Sequence, residues 1–120
     1  SIEYRIVHAL DGYDEISLTG DVKVISPEKE ELLSPHQLSE KQLDPTAISG
    51  GNTVESSAKI FIDILKGKGT QAQNAVVIAN SAMAIHTAFP NKTREECREM
   101  AIESLRSGKA NQAFNTLLSI

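Results

Sequence analysis

From Ile16 to Val24, apolar Ile16, Leu18, Val22 and Val24 alternate with polar Ser17, Thr19, Asp21 and Lys23. Successive side chains of a strand point to opposite faces, so this run predicts a strand over residues 16–25 with one face buried. Upstream, Tyr4-Arg5-Ile6-Val7-His8-Ala9-Leu10 is rich in strand formers and predicts a first strand over residues 4–10. Asp11-Gly12-Tyr13-Asp14 supplies turn residues between the two. Residues 26–51 read as irregular. Ser26-Pro27, Ser34-Pro35, Asp44-Pro45 and Gly50-Gly51 interrupt every run, and the residue before a proline is pushed away from helical backbone.

Beyond residue 52 the period lengthens to that of a helix. Asn52 and Glu55 stand at capping-box spacing, Val54, Ala58, Phe61 and Leu65 form one apolar stripe, and Gly67 follows where a helix end favours glycine. This predicts a helix near residues 53–66. A second is expected over residues 71–88, stopped by Pro90; from Ala75 to Ala88 it is apolar or small on nearly every side, the pattern of a buried central helix. Thr93 and Glu96 match a capping box, and Cys97, Met100, Ala101 and Leu105 follow as a stripe ending before Gly108, which predicts a helix over residues 94–107. Ala110, Ala113, Phe114, Leu117 and Leu118 predict a last helix over residues 110–118.

The expected layout is therefore α/β, two strands followed by about four helices. Two strands alone make a poor sheet unless other strands join them or helices cover them. With the first strand expected so close to Ser1, the layout predicts that the sheet continues in residues outside these 120.

Composition narrows the picture only slightly. Apolar residues are 40 % of the chain, but aromatics are 4 % and there is no Trp, so the core must be aliphatic. A net charge of −4 argues against a general nucleic-acid binder, whose surface would be basic. Cys97 is the single cysteine, which excludes an internal disulfide; with no secretory signal read here, the expected location is the cytoplasm. The apolar stretch around residues 75–89 is broken by Asn80, Ser81, His86 and Thr87 and is too short and polar to span a membrane.

The candidate chemistry lies in the first turn. Asp14 and Glu15 are adjacent carboxylates beyond a strand end. Hard cations such as Mg²⁺ favour such oxygens and take further ligands from water and substrate phosphates. Taken on spacing alone, the pair is more often a solvated acidic turn.

Five segments in order alter that weighting. His8-Ala9-Leu10-Asp11-Gly12-Tyr13-Asp14-Glu15-Ile16-Ser17 resembles the V-H-G/S-x-D-G-x-D-E-x-S segment of anthranilate phosphoribosyltransferases. Ala47-Ile48-Ser49-Gly50-Gly51 resembles their L-x-G-G segment, Leu65-Lys66-Gly67-Lys68-Gly69 their L-x-G-x-G helix end, Ala79-Asn80-Ser81-Ala82-Met83-Ala84 their L-N-A-A-x-A helix, and Ser107-Gly108-Lys109-Ala110 their S-G-K-A segment. Ala9 and Ser81 depart mildly from that pattern, and neither departure touches the acidic pair. The resemblance implies the C-terminal part of a nucleoside phosphorylase/phosphoribosyltransferase-type α/β domain. It also implies a reaction joining anthranilate to the ribose of phosphoribosyl pyrophosphate with release of pyrophosphate, and Asp14 and Glu15 as ligands of Mg²⁺. The intact enzyme is expected to be a homodimer that binds neither nucleic acid nor membrane. The family's G-T-G-G-D pyrophosphate loop does not occur in these residues, and its N-terminal helical domain is expected to lie elsewhere. Because that loop and the residues lining the anthranilate channel are missing from these residues, the chain alone is expected to be inactive, and no catalytic residue is assigned here.

The remaining candidates favour structural readings. His8, beside the acidic turn, is more often a hydrogen-bonded, partly buried strand residue than a site residue. His86 on the apolar helix reads as packing, His36 as a loop residue, and Cys97 as a small core hydrophobe. A buried Asn80 needs partners and is expected to satisfy a backbone or loop group. Lys109 reads as an ordinary helix-boundary lysine. Two rival functions are a pyrimidine nucleoside phosphorylase, disfavoured by the D-G-x-D-E segment, and a non-enzymatic, nucleic-acid-binding protein on the same fold, disfavoured by the acidic charge.

Overall fold

The computed structural model describes residues 2–39 and 41–120; Ser1 and Glu40, the latter within the stretch read as irregular, lie outside the described residues. Three antiparallel strands, β1 (Ile6–Ala9), β2 (Val22–Ile25) and β3 (Glu30–Leu33), form one sheet in the order β1-β2-β3. A short helix α1 (Pro35–Leu38) and a 3₁₀ turn (Pro45–Ile48) lead into α2 (Val54–Leu65), α3 (Gln71–Ala88), α4 (Arg94–Arg106) and α5 (Lys109–Leu118).

The four long helices fall where periodicity and caps place them. Thr53, Thr70 and Thr93 each accept a hydrogen bond from the backbone N–H three residues on, and the side chain there accepts one from the cap N–H. At α2 this moves the start by one residue: Thr53 with Ser56 makes the capping box, not Asn52 with Glu55. The threonine wins because its backbone is extended while its hydroxyl reaches the Ser56 amide. Gly67 and Gly108 adopt φ of +80° and +86°, the left-handed backbone that favours glycine after a helix end.

The strands need three corrections. The first strand is shorter than residues 4–10. Only Val22–Ile25 of the expected 16–25 strand pairs with neighbours. Ser17 and Thr19, read as solvent-facing, are buried like Ile16 and Leu18, and Leu18 has a φ of +62°, so the chain turns instead of extending. The alternation is genuine in composition but arises from buried hydroxyls that find partners within the turn, described below. A third strand lies in the region read as irregular, because Glu30-Glu31-Leu32-Leu33 shows no alternation. Its hairpin with β2 is made by Ser26–Lys29, where the Ser26 N–H donates to the Lys29 carbonyl at 2.9 Å and Pro27 suits the turn. Helix α1, four residues long and opened by Pro35, is of the short kind that the prolines of this region allow.

One sheet face carries Val7, Val24 and Glu31 in one row and Ala9, Val22 and Leu33 in the next. This face packs into a core with Ile16, Leu18, Leu38, Leu43 and Ala79. A second, smaller core joins Ala82, Cys97 and Ala101, with Ile78 and Ile85 against it. Helix α3 supplies residues to both, which explains its apolar character around the axis. It is nevertheless half-buried and not enclosed on every side: only Ala79 and Ala82 are fully buried. Helix α2 buries none of its residues and meets α5 through an edge-to-face pair, Phe61 and Phe114, with ring centroids 5.0 Å apart.

Candidate functional site

The sheet delivers the acidic turn by simple means. After β1, the Leu10 N–H donates to the Asp21 carbonyl and the Gly12 N–H to the Ala9 carbonyl, both at 3.0 Å. Gly12, at φ +100°, turns the chain away from the strand. Asp14 and Glu15 follow five and six positions beyond Ala9, both exposed. Among the described residues neither carboxylate makes a hydrogen bond or an ion pair, and no group of three or more His, Cys, Asp or Glu side chains is gathered to hold a metal.

The backbone just after the pair is held from several directions. The Ile16 side chain is buried in the first core. Its N–H donates to Asn80 Oδ1 at 2.9 Å, and its carbonyl accepts from Asn80 Nδ2 at 2.8 Å. Asn80 Nδ2 also donates to the Val76 carbonyl at 2.9 Å, one turn back in α3. The Leu18 carbonyl accepts from the Leu43 N–H at 2.8 Å, and the Thr19 carbonyl from Gln42 Nε2 at 2.7 Å. Asp11 closes the loop on itself. Its carboxylate accepts from the Thr19 hydroxyl and, weakly at 3.5 Å, from the Ser17 hydroxyl; the two hydroxyls are 2.7 Å apart. A side chain at Gly20 would press on that carboxylate, its Cβ 3.3 Å from Asp11 Oδ2.

Asn80, half-buried, satisfies backbone groups as expected, with all three of its hydrogen bonds to backbone. The supporting roles of Asp11, Ser17, Thr19 and Gln42 do not follow from the sequence pattern. The one signal available was the pair of hydroxyls two residues apart beside a glycine, which periodicity assigned to a solvent face. His8 is exposed on the outer face of β1, opposite Lys23, and not the partly buried residue expected. His36 is exposed as well. His86 is half-buried; burial first, then the positive charge of Arg5, holds its pKa below the ordinary value. Cys97 lies fully in the second core, where burial raises its thiol pKa. It is therefore a core residue, as expected. Lys109 is exposed at the start of α5.

The model of the glycosyl transferase family, a/b domain, matches residues 3–111. This chain belongs to that family. Among curated glycosyl transferase relatives, an anthranilate phosphoribosyltransferase from Christiangramia forsetii is 53 % identical over 114 residues, covering 95 % of this chain and 34 % of its own length. The fold recurs in the crystal structure of anthranilate phosphoribosyltransferase from Thermus thermophilus, at a TM-score of 0.86 and 24 % identity, covering 98 % of this chain and 35 % of that one. It recurs too in the Saccharomyces cerevisiae enzyme in complex with PRPP and Mg, at 0.81 and 21 %, covering 94 % and 32 %. The chain spans about a third of the length of the curated relatives it matches.

Two exposed carboxylates with unengaged oxygens suit a hard cation such as Mg²⁺, which keeps water and phosphate ligands and needs no complete protein cage.

Proposed function

We propose that this chain is the C-terminal part of the α/β domain of an anthranilate phosphoribosyltransferase, acting in tryptophan biosynthesis. The whole protein would transfer phosphoribosyl from phosphoribosyl pyrophosphate to anthranilate and release pyrophosphate. The observation that carries this reading is the 53 % identity over 95 % of the chain to a protein of that name. A cytoplasmic location and a homodimeric intact enzyme belong to the same reading. No helix among the described residues is long and apolar enough to cross a membrane.

In this reading Asp14 and Glu15 hold Mg²⁺. When bound, the ion would offset negative charge developing on the departing pyrophosphate and orient it, a contribution of several kcal/mol. The chain's own part is to present the two carboxylates on a short exposed span between fixed backbone points. The pyrophosphate loop and the anthranilate-binding residues are proposed to lie in the rest of the polypeptide.

Replacing Asp14 with Asn and Glu15 with Gln keeps shape and removes charge. In the full-length protein the double variant is expected to lose about a hundredfold or more in kcat/KM, the scale of a lost transition-state electrostatic contact. Steady-state kinetics across a Mg²⁺ titration measures this, with circular dichroism as the check on folding. Wild-type kcat/KM and Mg²⁺ dependence in a folded double variant would remove the pair from the mechanism.

A further inference from the structure

We propose that Asn80 is a positioning residue for the metal-binding turn: its carboxamide, reaching from α3 to both backbone groups of Ile16, sets the direction of the neighbouring Asp14 and Glu15 carboxylates. The inference rests on the reading of that pair as metal ligands.

The geometry is that of a strand neighbour supplied by one side chain. Asn80 accepts from the Ile16 N–H and donates to the Ile16 carbonyl, so it engages both backbone groups of a single residue 64 positions away. The amide cannot swing freely, because its second N–H is spent on the Val76 carbonyl within its own helix. The Val76 bond therefore restrains the carboxamide independently of Ile16. The Ile16 nitrogen belongs to the peptide bond that joins it to Glu15. A planar peptide held at its N–H leaves Glu15 few directions in which to leave the backbone.

On the other side, the Leu10 and Gly12 amides are bonded back to the sheet region. Between these anchors lie Tyr13, Asp14 and Glu15, and neither carboxylate is held by a partner of its own among the described residues. Their placement must therefore come from the backbone, and on the downstream side that backbone is fixed nearest to them by Asn80. The Ile16 side chain, 1 % exposed, keeps the residue in the core, but packing alone leaves rotation of the adjoining peptide unrestrained. Outer groups that orient metal ligands typically account for about tenfold to hundredfold in metal affinity.

The test uses the full-length protein and Mn²⁺ with inorganic pyrophosphate as the probe, following bound Mn²⁺ by electron paramagnetic resonance. Asn80→Asp retains the acceptor for the Ile16 N–H and loses both donors; Asn80→Leu keeps the bulk and loses all three bonds. Met83→Ala, in the same helix and against the same core, serves as a control for lost stability. Both Asn80 variants are expected to weaken Mn²⁺ binding by about tenfold or more, and Asn80→Leu to speed hydrogen exchange at the Ile16 amide. Met83→Ala should leave Mn²⁺ binding unchanged. Should Asn80→Leu fail to fold, Asn80→Asp carries the comparison. In the D14N/E15Q background, which should itself bind Mn²⁺ poorly, Asn80→Asp should cause no further loss. Native Mn²⁺ affinity in folded Asn80 variants, with binding lost in D14N/E15Q, would overturn the role of Asn80 and leave the acidic pair standing. An equal loss in Met83→Ala would also overturn it, reducing Asn80 to general stability. Native Mn²⁺ affinity in D14N/E15Q would instead overturn the reading of the pair, and the role of Asn80 with it.

Discussion

The acidic turn and the α3–α4 hairpin share helix α3 but are built by different kinds of contact. The hairpin helices are started by bonds between residues three apart, Thr70 with Gln73 and Thr93 with Glu96, and continue by helical bonds four apart. The turn is closed by bonds that span 8 residues from Thr19 to Asp11, 23 from Gln42 to Thr19, and 64 from Asn80 to Ile16. Local bonds can form early and are lost one at a time at the cost of one cap. Long-range bonds exist only in the assembled fold, so the turn inherits its order from α3 and from the segment after α1. The candidate site is thus placed where the structure is most dependent on distant residues.

A substitution that sets backbone against packing separates the two regimes most strongly. Leu18 has φ +62° and is 1 % exposed. A left-handed backbone costs an ordinary residue about 1–2 kcal/mol, which Leu18→Gly would relieve. Deleting a buried leucine side chain costs about 2–5 kcal/mol, and glycine adds chain entropy to the unfolded state. Packing should win, with a net loss on the order of 2 kcal/mol in denaturant unfolding. A stabilised Leu18→Gly protein would mean that the turn is dominated by backbone strain and not by its distant contacts.

In the hairpin the corresponding change is smaller. Thr93→Ala removes the hydroxyl that accepts from the Glu96 N–H at 3.1 Å. The expected loss is about 1 kcal/mol, measured in the same unfolding experiment. Mn²⁺ binding should be unaffected, because the lost cap is local to α4. A change in metal affinity would show that the two regions are coupled and that the contrast drawn between them is wrong.

The smallest expected effect lies toward the end of α3, away from the turn. His86 of α3 is held below its ordinary pKa of 6.5 chiefly by burial, then by Arg5 beside β1; Arg94 lowers it further, while a hydrogen bond with the Lys92 backbone and the charge of Glu31 oppose this. A depressed folded pKa means that the unfolded chain binds the proton more readily. The contribution of neutral His86 to stability is therefore complete above pH 6.5 and is lost as pH falls through the lowered value. His86→Gln should flatten the pH dependence of stability below pH 6.5 without changing it above, as read from denaturation midpoints across that range. An unchanged slope would place the acid sensitivity elsewhere.

Much of the candidate site's chemistry is legible in the residues themselves. Asp14 and Glu15 stand adjacent beyond strand formers, and Asn80 on an apolar helix demands partners. The path of the turn is not legible in the same way. Ser17 and Thr19 alternate with Ile16 and Leu18 as an edge-to-core strand would, yet all four are buried, because the Asp11 carboxylate accepts the hydroxyls and Gln42 and Leu43 take the carbonyls. Nothing in a period of two distinguishes a solvated hydroxyl from one satisfied inside.

Sequence alone determined the helical half and the identity of the acidic pair. Caps, stripes and terminal glycines act within a turn or two of the chain, and a carboxylate's affinity for hard cations belongs to its own atoms. Tertiary structure alone decided that Glu30–Leu33 forms a strand, that α3 divides two cores, and that Asn80 meets Ile16. Each of these depends on a partner distant in the chain. A hydrogen bond between residues 64 apart leaves no periodic trace in either segment, since its energy appears only when both are brought together.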